Sequence, residues 1–546
     1  MNLPLFLAFI SVLVPALLIQ AGAEHWLQRR DLLPGFSRPI TAWGLTTLAG
    51  YAVFWLYFLT PWLGWVFTVA LHLGAVIYWI WWRRDFRRSF VGSSDSHLCR
   101  FSLIFVGACY LGLLYLWQSD RPVEYLAANR FSHPLPGDNA LPRLFADRLV
   151  TGQSPKNLSG EWLSSDRPPL QTGFILLLRQ PLQWVGESQA RAFAAGMLFQ
   201  LLWVPGLWAL LCSAGARRGE TLSVIGLVAC TGFCLLHSVY TWPKLGAAGL
   251  VMGGASLLIT RSSNSQLTCW AAGAALCALG YMAHGGVMFS LIALAPLALC
   301  MRPNKATLAA ALGAFLTIVL PWICYQKFYE PPGNRLLKWH IAGVIPIDDR
   351  GVFETLYTSY HEISWASILY NKKANLEILF EKAPWCSFDL SPAHAGVNRA
   401  AELFYFFRGL GLGSWLLLLL PWLAWRLRGD NAALKLQRAP VLLAGWAMLT
   451  LVIWILLMFG PGTTVIHQGS LVPLLILWTL PVVYLYNWWR GSLVLVAIAQ
   501  MSLFVSTWVP AGTGTHGPLS IGSLLLAIGG ALLMAVLVLR TEMSSH

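Results

Sequence analysis

Asp138 and Asn139 follow Pro134, Pro136 and Gly137, which end any helix before them. They precede Leu141, Leu144, Phe145 and Leu149, whose spacing predicts one apolar face of a short amphipathic helix. A side-chain oxygen there suits a helix cap, or the first member of a polar cluster. Asp166-Arg167 stands before Pro168-Pro169-Leu170, a pair of prolines that fixes an extended entry to the next element. It reads as a local salt bridge or cap, or as a second polar group converging on Asp138. Further on, Arg335, Lys338 and His340 lie within six residues, followed by Asp348-Asp349-Arg350. Cations at that spacing can cup a phosphate, and they can equally line a solvated amphipathic stretch. Lys244 follows Trp242-Pro243 where a helix resumes, and His284 sits in the turn Tyr281-Met-Ala-His-Gly-Gly. Each is placed as an interface anchor or as a site residue.

What must position these groups is a membrane. Of 546 residues only 11% are charged and 57% are hydrophobic, with 28 Trp, and the mean hydropathy is +0.61. Soluble domains carry roughly a quarter charged residues, so a soluble enzyme, a disordered chain and a nucleic-acid binder are excluded. Apolar runs of about 17 to 25 residues cross ~30 Å of hydrocarbon, and about fifteen such runs can be placed. They cover roughly 2–21, 41–59, 62–82, 101–117, 190–213, 221–238, 243–260, 267–283, 286–301, 306–324, 403–425, 438–459, 470–487, 492–509 and 519–539. The expected fold is an all-α polytopic bundle.

The net charge of +14 is mostly a topology signal. Arg29-Arg30, Arg83-Arg84, Arg87-Arg88, Arg217-Arg218, Arg261, Arg302, Lys305, Arg426, Arg428, Arg490 and Arg540 fall on alternate connections. By the positive-inside rule that side is cytoplasmic, the N-terminus outside and the C-terminus inside. Ala21-Gly22-Ala23 looks like a cleavage site, but no basic residue precedes the first apolar run, so that run is expected to remain. Ten Cys residues fall mostly within spans and show no Cys-x-x-Cys spacing, so they read as small buried hydrophobes; only Cys386, and Cys324 at a span end, would meet an oxidising side. Two long connections, 118–189 and 325–402, then hold most of the 23 acidic residues. Both are expected outside, carrying short amphipathic helices.

A span at 101–117, about twenty residues, Asp138-Asn139 before an amphipathic helix, and Asp166-Arg167-Pro168-Pro169-Leu170 entering the next span together resemble the GT-C superfamily of integral-membrane glycosyltransferases. The resemblance covers roughly 101–325. It implies a chain divided into an N-terminal three-helix extension (1–100), a GT-C-like core (101–325), a second long periplasmic segment (326–402) and C-terminal spans (403–546). It further implies a bacterial inner-membrane enzyme that moves a sugar from a polyprenyl-phosphate donor to a hydroxyl of a glycan, lipid or protein acceptor on the periplasmic side.

In that family the acidic residue of the first outer loop is the catalytic base or an orienting group, and Asp138 matches it, with Asp166 a second catalytic position. Lys244 resembles residues that meet the carrier phosphate, with Asn139, Arg167, His284, Arg335, Lys338 and His340 as further substrate-binding candidates. The chain departs from the simplest pattern in its three additional spans and in Asp-Asn standing where Asp-x-Asp or Asp-Glu is usual. No obligatory cofactor and no metal ligands are therefore expected, a divalent cation being optional. The expected partners are the lipid-linked donor, the acceptor and membrane lipids, with no nucleic acid. Two other readings remain: an O-antigen polymerase or ligase working through outer Arg and His residues, and a lipid-linked glycan transporter or flippase.

Overall fold

The computed structural model describes residues 3–91, 95–119, 121–128, 135, 137–179, 187–260, 266–380, 416–422, 438–461, 471–509 and 517–543. Within them the chain is helical, its extended pairings being the single bridges Trp117 to Leu519 and Ser159 to Trp162. Helices α1 (Leu3–Arg30), α2 (Arg38–Leu59), α3 (Pro61–Val91) and α4 (Asp95–Leu114) come first. The first long connection holds α5 (Val123–Ala128) and α6 (Leu141–Val150) and leads into α7 (Leu170–Arg179). Then come α8 (Ser188–Gln200), α9 (Trp203–Ser213), α10 (Arg218–Ala229), α11 (Gly232–Val239), α12 (Lys244–Leu258), α13 (Gln266–Ala283), α14 (Met288–Leu299) and α15 (Lys305–Cys324). The second connection carries α16 (Arg335–Ala342), α17 (Val352–His361) and α18 (Trp365–Phe380). The last helices are α19 (Arg438–Leu457), α20 (Leu471–Trp488), α21 (Gly491–Trp508) and α22 (Ile521–Met543).

Among the described residues ten stretches are long and apolar enough to cross a membrane, or eleven when α10 and α11, bent by 73°, count as one. The chain is a multi-pass helical membrane protein, and its described residues hold ten or eleven such spans where fifteen were expected of the whole chain. The difference has a physical cause. Helix α12 has 15 residues, every one of them buried, and reaches only about 22 Å at 1.5 Å per residue. Its apolar character comes from being enclosed by protein, which hydropathy cannot tell from contact with lipid. Helix α14, with 12 residues, is short as well. The expected span 403–425 lies largely outside the described residues, as do Pro134, Pro136 and Cys386.

Small residues bring the backbones together, as they do where helices pack without a hydrophobic drive between them. Helix α2 crosses α7 at Gly50 and Gly173, where a Cβ on Gly173 would collide with the Gly50 carbonyl. Tyr51 of α2 donates to the Ile318 carbonyl of α15 at 2.8 Å, so the first helices pack directly onto those that frame the two connections. Helix α6 turns Leu141, Phe145 and Leu149 inward. Phe145 meets Phe54 edge-on at 5.2 Å. The amphipathic face expected from the sequence is thus covered by protein.

Candidate functional site

Asp138 lies in the 3-10 turn Gly137–Ala140, and the N-cap of α6 is Ala140, without a side-chain cap. Its carboxylate is spent elsewhere. Oδ2 accepts from Arg167 Nη2 at 2.9 Å and Oδ1 from the Tyr240 hydroxyl at 3.3 Å. Both members of the Asp138–Arg167 pair are buried, and breaking such a pair by removing one partner typically costs about 3–5 kcal/mol.

Tyr240 is presented by an unusual turn. Thr241 has φ +59°, a genuine outlier for a β-branched residue, and such strain clusters at functional sites. The turn is held by Gln171 of α7, whose Nε2 donates to the Thr241 carbonyl at 2.8 Å. Beyond it Lys244 opens α12 with its Nζ 3.7 Å from the centre of the Trp242 ring.

Asp166 closes the 3-10 turn Ser164–Asp166. Its Oδ2 accepts from the Leu163 amide and from Arg335 Nη1, each at 3.1 Å. Burial pushes this carboxyl above the ordinary carboxylate range, while the Leu163 amide, Arg335 and Arg167 pull against that rise. Trp162 stands near both guanidinium groups, 4.2 Å from that of Arg167 and 5.7 Å from that of Arg335.

Residues from both connections and from the α13–α14 turn surround a cavity of about 260 Å³. Asp138, Ser165, Asp166, Arg167, Trp242, His284, Asn334 and His340 all line it. Four polar atoms of these residues, Ser165 Oγ, Asp166 Oδ1, Arg167 Nε and Asn334 Oδ1, are buried without a hydrogen-bond partner among the described residues. An unsatisfied buried polar group costs about 1–3 kcal/mol; these four atoms are closed off from the space itself, so ordered water or a shift of the wall would have to pair them. His284 caps its own turn, its Nδ1 accepting from the Gly286 amide at 3.1 Å. That leaves Nε2 to carry the ring proton. Burial, helped by Lys244, Arg167, His340 and His237, drives its pKa well below the ordinary histidine value.

The remaining candidates do other work. Arg335 gives Nη1 to the Glu161 carbonyl (2.6 Å), Nη2 to the Glu161 carboxylate (2.8 Å) and Nε to the Ile345 carbonyl (3.1 Å). Lys338, fully buried, bonds the carbonyls of Asp348 and Arg350 and so pins the turn between α16 and α17. Asn139 donates to the Glu124 carbonyl at 3.0 Å and is not part of the cavity wall. Close spacing in the chain did bring Arg335, Lys338 and His340 onto one short helix, but only His340 reaches the cavity.

Glu330 is a residue the sequence did not flag. Its carboxylate accepts from Ser164 Oγ (2.5 Å), the Ser165 amide (2.7 Å) and the Asn157 amide (2.9 Å), which fastens the second connection to the first. The sequence carried no signal for it, since a Glu is ordinarily exposed and only its partners in the fold show that it is buried.

No group of three or more His, Cys, Asp and Glu placed to hold a metal ion occurs among the described residues. No family model, curated protein or solved structure matches the chain.

Proposed function

We propose that this protein is a membrane glycosyltransferase that moves a sugar from a polyprenyl-phosphate donor to an acceptor hydroxyl on the outer side of the membrane. The observation that carries the reading is the cavity between the two connections, with the Asp138 carboxylate on its wall together with Asp166, Arg167, His284 and Asn334. A sugar is the ligand that fits: it brings many hydroxyls, each able to donate and accept, into a space with indole and imidazole walls.

In this reading Asp138 is the general base. As the acceptor oxygen bonds to the anomeric carbon, its proton passes to Asp138, and the bond from that carbon to the phosphate oxygen breaks with its electron pair leaving on the phosphate. One in-line displacement inverts the anomeric configuration. Arg167 and Tyr240 hold the carboxylate in place, and Asp166, Asn334 and neutral His284 stand on the wall that the sugar hydroxyls meet. Arg167 adds positive charge beside Asp138. Because Arg335 and Lys338 give their donors to carboxylate and carbonyl groups, a polymerase-like mechanism run by those cations is the less supported reading.

The test compares wild type with Asp138→Asn in the same nanodiscs, following transfer from extracted polyprenyl-phosphate glycans. A general base is worth about 10²–10⁴-fold, so transfer should drop by at least about 100-fold while folding persists. Full transfer by the variant would remove Asp138 from the mechanism.

A further inference from the structure

A second space adjoins the cavity. A groove of about 730 Å³ is walled by residues of α14, α16, α17, α18 and α19, and it shares Met288, Leu337 and Ile341 with the cavity. Its wall is apolar except for Tyr360, His361 and Lys372. At one flank Leu456, Leu457 and Trp365 are exposed, so the groove opens beside the lipid-facing end of a candidate span. Lys372 marks the junction with the cavity: its Nζ donates to the Tyr360 hydroxyl at 3.0 Å and to the Met458 carbonyl at 2.5 Å, and Met458 lines the cavity.

The charge on Lys372 is only partly met. Its oxygen partners are neutral, and no carboxylate pairs with it among the described residues. The end of α19, which it caps, supplies roughly half a negative charge at most. Burial lowers its pKa to about 8, which still leaves an ammonium at neutral pH. An ammonium at the end of an apolar groove calls for an amphiphile with an anionic head.

We propose that Lys372 is the head-group anchor of a lipid-phosphate site, with the phosphate on its ammonium and one long apolar tail along Leu337, Ile341, Leu356, Ile368 and Leu456. Identifying this amphiphile with the sugar donor rests on the transferase reading; the binding itself does not. The phosphate then sits between groove and cavity, so that the sugar it carries extends toward Asp166 and Asn334.

The probe is farnesyl phosphate, titrated onto the full chain in nanodiscs, with farnesol and phosphatidylglycerol as the other arms. Farnesyl phosphate should bind at least tenfold tighter than farnesol. Lys372→Gln should erase that difference and Lys372→Arg should keep it within threefold. Since Lys372 also caps α19, Ile368→Trp serves as a second variant: it fills the groove without touching the ammonium and should weaken both isoprenoids alike. Equal binding of farnesyl phosphate to wild type and Lys372→Gln would overturn the anchor, and so would equal competition by phosphatidylglycerol, which would make this an ordinary bilayer-lipid contact. Either failure leaves the Asp138→Asn transfer result standing, and loss of that result leaves the binding result standing.

Discussion

The behaviour of His284 follows from the company it keeps. Its neighbours Lys244, Arg167, His340 and His237 are cations or able to become so, and the ring lies deep in the protein with part of its surface on the cavity. The folded state therefore resists a proton that the unfolded chain accepts near pH 6.5. Below that value the unfolded state binds more protons, so stability falls as the pH drops, by at most about 1.4 kcal/mol per pH unit. Thermal unfolding of wild type and His284→Gln between pH 7 and 5 checks this. The variant, which keeps an acceptor for the Gly286 amide, should lose less stability on acidification; an equal loss would show that His284 does not set the trend. Residue types and positions were legible in the sequence for Asp138, Arg167 and His284, because each sits beside a helix break, whereas His340 reaches the cavity from inside α16. They were not legible for Arg335 and Lys338, since a spacing shows that cations are close and says nothing of which carbonyls they will meet. Lys372 was missed for the opposite reason: in a run of Lys372-Lys373 one ammonium faces the groove and the other pairs with Glu377 in solvent, and the sequence does not distinguish them.

At the level of elements, the site depends on two connections that are far apart in the chain. Glu330 fastens them through one carboxylate and three donors from residues 157 to 165, and the Tyr325 hydroxyl also meets Ser164 at 2.5 Å. Gln326 adds a bond to the Ser165 carbonyl at 2.9 Å. Hydrogen bonds to a charged group contribute about 1.5–3 kcal/mol, so Glu330→Gln should destabilise the protein by about 2 kcal/mol. In the transferase reading it should also weaken transfer through the displaced Ser165 and Asp166. Unfolding midpoints and the separate effects on kcat and KM check both parts, and an unchanged midpoint with normal kinetics would make the fastening irrelevant. Element boundaries near prolines and glycines were readable, as α6 beginning at Leu141 and α7 at Leu170 show. Which helices are enclosed was not, and α12 is the example, since a Gly-rich run that lets neighbouring backbones close in has the same hydropathy as a lipid-facing one.

For the whole molecule, the transferase reading requires that the cavity and groove face the compartment where the donor's sugar is displayed. The distribution of Lys and Arg predicts that side. Arg217 and Arg218 at the start of α10, Arg490 before α21 and Arg540 near the end of α22 come together in the fold. Arg490 pairs with Glu542 at 3.1 Å, and Arg217 lies 5.9 Å from the centre of the Tyr486 ring. These cations gather on the side to which the positive-inside rule assigns the cytoplasm, whereas Asp138, Asp166 and Glu330 belong to the connections between the opposite helix ends. A fluorescent-protein fusion after His546 should therefore mature, and an alkaline phosphatase fusion there should be inactive. A cysteine introduced at exposed Phe353 in a variant lacking the native cysteines should react with a membrane-impermeant maleimide in whole cells, and the cysteine-free parent should not. The reverse pattern would put the cavity on the cytoplasmic side, where a donor presented outside could not reach Asp138, and the transferase reading would have to yield to a reaction fed from within the cell.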